Sequence, residues 1–166
     1  MKKIWILLLL ALLLLSGCGA QETFEIVSDV YDVPASAVGY TLQLQLPQEA
    51  VLETMESEAG ALYLCDGYTL TVQALEGGDL DRTLQAVTGF EKDALTLMQT
   101  KQGSFKRYEC AWSAAGEGTQ QVCRTLILDD GNTHHAVTVM ADYQMAGDLT
   151  AQWQHLLSSA QLVSTG

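Results

Sequence analysis

Tyr40-Thr41-Leu42-Gln43-Leu44-Gln45-Leu46-Pro47 alternates between apolar and polar side chains and then meets a proline. Side chains on a strand point alternately to its two faces, so a period of two means one face on a core and one in solvent. Pro47 lacks the N–H that would extend the ladder, and the strand ends there. Working outward, residues 61–66 and 68–75 flank Gly67 and read as a hairpin, whereas residues 50–57 fit a strand better than a helix. Gly77-Gly78-Asp79 then breaks the pattern. Leu80, Leu84 and Val87 recur at helical spacing behind Asp79, an N-cap residue, and Gly89 supplies a stop, so a helix is predicted over 80–88. Runs at 95–101, 105–113, 121–129 and 134–142 read as strands. A closing helix, capped by Asp148, carries Leu149, Trp153, Leu156 and Leu157 on one side. Antiparallel strands in a meander, with one mid-chain and one C-terminal helix, make an α+β sandwich.

This order of elements resembles the PsbP-like family over residues 39–163. The carriers are the early strand closing in Leu44-Gln45-Leu46-Pro47, the helix entered through Gly78-Asp79-Leu80, the strand run, and the last helix ending in Leu157-Ser158-Ser159. The resemblance implies an α/β/α sandwich used for binding and assembly, with no catalytic set. The photosynthetic and Ran-binding roles within the family have no matching residues here.

At the other end of the chain, Lys2-Lys3 precedes an apolar run over 4–15, followed by Leu15-Ser16-Gly17-Cys18. A basic start, an apolar run and small residues before a cleavage point are the zones of a secretory signal. The run is well short of the roughly 20 residues that a spanning helix needs. Leu-Ser-Gly-Cys resembles the bacterial lipobox, whose cysteine is diacylated and becomes the mature N-terminus. The expected organisation is a signal peptide over 1–17, lipidated Cys18 with a short tether over 18–23, and one domain over 24–166. Each buried acyl CH₂ contributes about 0.8 kcal/mol, so a diacylglyceryl group alone gives stable attachment. The five residues 19–23 reach at most about 17 Å. The body is therefore expected near the membrane, on its extracytoplasmic face.

Charge narrows the partners. The 166 residues carry a net charge of −12, with 20 acidic and 8 basic side chains, and loss of Lys2 and Lys3 takes it to −14. Between Ile4 and Asp81 there is no Lys or Arg. Nucleic-acid binding requires a basic stripe, and none exists. Docking of the body on anionic lipid is disfavoured for the same reason. Expected partners are the membrane, through the lipid, and an envelope protein or small ligand. Glu49, Glu53, Glu56 and Glu58 lack calcium-loop spacing, and Asp129-Asp130-Gly131-Asn132 reads as a hairpin turn.

No metal or cofactor is expected. There is no Cys-x-x-Cys, and the rings of His134-His135 on a strand point to opposite faces. With Cys18 lipidated, Cys65, Cys110 and Cys123 remain. A turn centred between Gly116 and Glu117 would set Cys110 opposite Cys123, close enough for a disulfide. Three reduced, packed thiols are the alternative.

No Gly-x-Ser-x-Gly elbow is present in the body, and His155 is expected to face outward. No catalytic residue is assigned. The sequence reads as a non-catalytic, membrane-anchored extracytoplasmic lipoprotein that binds a protein or small ligand or assists envelope assembly. The competing reading is a cell-surface hydrolase whose residues meet only in the fold. A recessed His beside a hydroxyl or carboxylate would favour the enzyme, and an apolar pocket or exposed aromatic patch would favour binding.

Overall fold

Leu42, Leu44 and Leu46, the apolar members of the alternating run, are all buried, and the intervening glutamines are half-exposed. In the computed structural model, which describes residues 24–28, 39–53, 60–115 and 118–165, this run is β2 (Tyr40–Pro47). It is the middle strand of a three-stranded sheet, between β1 (Phe24–Ser28) and a C-terminal strand, Gln161–Ser164. The large sheet begins with β3 (Val51–Glu53), β4 (Gly60–Cys65) and β5 (Tyr68–Glu76). Helix α1 (Leu80–Thr88) follows, then a 3₁₀ turn at Lys92–Ala94. The sheet resumes with β6 (Leu97–Gln102), β7 (Phe105–Ala115), β8 (Gln120–Asp129) and β9 (Thr133–Asp142). A short α2 (Tyr143–Ala146) and then α3 (Thr150–Ser159) lead into β10, the Gln161–Ser164 strand.

The predicted α+β sandwich is the observed one, but its strands are not a simple meander. The seven-stranded sheet has the order β3-β4-β5-β9-β8-β7-β6, antiparallel throughout. Helix α1 carries the chain from β5, inside the sheet, to β6 at its far edge, and three hairpins bring it back to pair β9 with β5. Alternation identifies each strand but is silent about this long-range partner.

Two cores sit on opposite faces of the large sheet. On one, α3 and β2 pack Trp153, Leu156, Leu157, Leu42 and Leu44 against Leu70, Val72, Leu126 and Val137. On the other, Leu84 of α1 meets Tyr108, Cys110, Ile127 and Ala136. Both helices thus bury the apolar sides that their spacing predicts. The Asp79 carboxylate caps α1 by accepting from the Arg82 N–H at 3.0 Å, and Gly89 closes it at φ +79°.

The start of α3 differs from expectation. Asp148 is not its cap: Leu149 occupies that place, without a side-chain cap bond. The N–H groups of Asp148 and Leu149 instead bond to the Met145 carbonyl, because α2 and a tight turn run directly into the helix.

The cysteine register is also corrected. Ala115 pairs with Gln120, so Cys110 faces Thr125 and Cys123 faces Trp112. Residues 116 and 117, where the turn was centred, lie outside the described residues. Cys110 and Cys123 become diagonal neighbours, a relation that spans about 7–8 Å between Cα atoms and exceeds the range of an unstrained disulfide. Cys65, Cys110 and Cys123 carry free thiols, and burial pushes each up to about 11. Cys18 and the signal-like segment lie outside the described residues.

Candidate functional site

Among the described residues, titratable side chains gather at the β8–β9 turn. Asp129-Asp130-Gly131-Asn132 forms the predicted hairpin turn, with Gly131 at φ +95°, a conformation that side chains with a Cβ rarely adopt. The two carboxylates are used by the turn itself. Asp129 accepts from the Gly131 N–H at 2.7 Å, and Asp130 accepts from those of Asn132 and Thr133 at 2.8 and 2.7 Å. Gly77 presses against this turn and donates to the Asn132 carbonyl at 2.8 Å. A Cβ at Gly77 would stand 2.6 Å from the Asn132 carbonyl carbon, so the residue must be glycine.

His134 and His135 do point to opposite faces, and both are only 1% exposed. His135 Nε2 lies 3.2 Å from Asp130. His134 Nδ1 lies 2.6 Å from the Thr83 hydroxyl of α1, with Nε2 3.8 Å from Asp129. Burial lowers the pKa of both imidazoles, outweighing the neighbouring aspartates, which raise it. Burial raises that of Asp130, but its two backbone donors and His135 together bring it below the ordinary carboxylate value.

A hydroxyl, an imidazole and a carboxylate in sequence are the ingredients of a nucleophile set. Two observations remove Thr83–His134–Asp129 from that role. The 3.8 Å contact exceeds hydrogen-bond length, and Thr83 and His134 are buried where no substrate carbonyl reaches them. The set is a clamp that holds α1 on the sheet. Outside it, Lys106 lies 3.5 Å from Asp129 at the rim of a cleft of about 270 Å³, which Tyr40 and Phe105 also line. The two rings meet edge-on at 4.8 Å.

Thr83 and Lys106 were absent from the sequence-level candidates. Thr83 left a readable signal, as a polar residue, with Thr88, on the Leu80–Leu84–Val87 side of its helix. Lys106 left none, since its pairing with Asp129 depends on register. Among the described residues no group of three or more His, Cys, Asp or Glu converges to hold a metal. His155 is exposed, as expected.

Neither a protein-family model nor a curated protein matches the sequence. Solved structures do match in shape. Cyanobacterial PsbP (CyanoP) from Synechocystis sp. PCC 6803 superposes with a TM-score of 0.59 at 11% identity, covering 90% of this chain and 99% of its own. The fold is PsbP-like. The same PsbP-like fold relates the chain to LpqN of Mycobacterium tuberculosis, a protein involved in cell envelope biogenesis. That match has a TM-score of 0.51 at 13% identity, covering 84% of this chain and 91% of LpqN. A Bacteroides thetaiotaomicron VPI-5482 structure matches with a TM-score of 0.54 at 14% identity, covering 75% of this chain. The chain spans 46% of the length of that protein. Identities this low establish the PsbP-like fold and leave function to the residues.

Proposed function

We propose that this protein is a non-catalytic lipoprotein of the bacterial cell envelope, anchored through diacylated Cys18 on the extracytoplasmic face, where it binds a partner or assists assembly of a membrane complex. Leu15-Ser16-Gly17-Cys18 after a short apolar run is the observation that carries it. The fold shared with LpqN, itself involved in envelope biogenesis, is consistent with that address. Burial of the Thr83–His134 hydroxyl–imidazole pair speaks against the hydrolase alternative.

The test is fractionation with mass spectrometry. Wild-type protein expressed in a bacterium should partition with membranes and begin at an acylated Cys18. Cys18→Ala should appear in the soluble fraction or persist as uncleaved precursor. Equal mass and equal membrane partition of the two proteins would overturn the anchor.

A further inference from the structure

Residues that face one another on antiparallel strands share a side of the sheet, so the registers trace rows across it. The row Tyr108–Ile127–Ala136 lies under α1 and is buried. Farther along the same face, another row runs from Trp112 through Cys123, Met140, Thr69 and Leu64 to Val51. It crosses six strands, about 24 Å at the usual strand spacing. Val51 and Leu64 are 61% and 41% exposed at one end. At the other end Phe90, 39% exposed, stands edge-on to Trp112 at 6.1 Å. Within the row Cys123 is fully buried and Thr69 is polar, so Trp112, Met140, Leu64 and Val51 are the apolar side chains left exposed or half-buried, with Phe90 at the Trp112 end. Exposed apolar side chains scattered singly need no explanation, but their alignment along one face marks an interaction surface.

The charge around the stripe selects its occupant. Glu53 and Asp142 are exposed beside Leu62 and Met140. No Lys or Arg occurs anywhere in β2–β5. Two copies of this chain, each strongly acidic, would bring like charges together around a shared stripe. Anionic lipid is repelled in the same way.

The geometry points to this stripe, from Val51 to Phe90, as the docking surface for a partner protein that presents an apolar ridge flanked by lysine or arginine side chains. The inference rests on the binding role proposed above and assigns it a surface. Apolar contact supplies the attachment, and the acidic rim supplies attraction and discrimination.

A photo-crosslinking benzoylphenylalanine at Val51 tests this, with a control at Gln154 on the exposed side of α3, beyond the opposite face of the large sheet. The full lipidated chain is used in membranes of the bacterium that encodes it. Crosslinking from Val51 should exceed that from Gln154 several-fold. The crosslinked peptide should carry apolar residues flanked by Lys or Arg. Yield should fall several-fold in 0.5 M NaCl, and likewise in Glu53→Lys, a surface change that should leave the unfolding midpoint in place. Capture from Gln154 alone would overturn the surface and leave the binding role standing. Capture of a second copy, or yield indifferent to both salt and Glu53→Lys, would overturn the proposed partner chemistry. No protein captured from either position by correctly anchored chain would overturn the binding role along with its surface.

Discussion

Thr83 sits at a helix position where a leucine would pack, and its hydroxyl instead meets His134 at 2.6 Å in a buried site. A buried polar group left without a partner costs about 1–3 kcal/mol. Thr83→Val should therefore lower stability by roughly that amount in urea unfolding, although it keeps the shape and adds apolar surface. An unchanged midpoint would show that the imidazole finds another partner. At Cys65, Cys110 and Cys123, burial holds the thiol form far above neutral pH, and the thiolate is the reactive species. Native protein treated with iodoacetamide at pH 7.5 should stay unmodified at Cys110 and Cys123 and react at both once unfolded in guanidinium. Rapid native labelling would contradict the packing described.

Among the elements, α3 packs onto the large sheet through Trp153, Leu156 and Leu157. Trp153 is 1% exposed and meets Tyr68 edge-on at 6.1 Å. Its indole Nε1 has no hydrogen-bond partner among the described residues, so its contribution comes from packing. Trp153→Ala should cost about 3–5 kcal/mol. Trp153→Phe should cost distinctly less, since it keeps an aromatic ring and forfeits no hydrogen bond. Equal losses in thermal denaturation would assign the N–H a role it lacks here. From the sheet side, Arg107 donates to the Leu157 carbonyl at 3.1 Å while pairing with Glu109 at 2.8 Å. One side chain thereby satisfies the end of α3 and fixes its distance from β7. Leu149, Trp153, Leu156 and Leu157 were readable as one side of a helix, whereas Arg107 was not readable as the partner of its last turn. Fifty residues separate them, and no local pattern encodes that meeting.

For the molecule as a whole, the paired histidines make stability depend on pH. His134 and His135 titrate below the ordinary value of 6.5 in the folded state. As pH falls through 6.5 the unfolded chain takes up protons that the folded chain refuses, so their contribution is full above that pH and is lost below it. Asp130, lowered from 3.8, adds a contribution that is present above that value and lost on further acidification. Relief of acidic self-repulsion acts in the opposite direction, which is why the comparison needs a control with the same surface. Urea midpoints at pH 7.5 and 5 in 0.3 M NaCl should fall more for wild type than for His134→Gln/His135→Gln. A larger fall in the double variant would reverse the assignment.

The sequence alone determined the strands of the large sheet and β2, the apolar sides of two helices, the Asp-Asp-Gly-Asn turn and the opposed histidine rings, but not β10, which follows the closing helix and pairs with β2. Each follows from a local cause: a period of two or 3.6, a cap, a glycine free to take positive φ. It also carries Leu15-Ser16-Gly17-Cys18, the local stretch on which the proposed anchor rests and which needs no fold to be read. The tertiary structure alone decided that β5 pairs with β9, that Cys110 faces Thr125 rather than Cys123, and that Thr83 closes on His134. It also decided that Val51, Leu64, Met140 and Trp112 align in one row. These depend on which distant segments share a face and in what register. A shift of a single residue in register reverses every face, and that choice is made by the burial of the whole core at once.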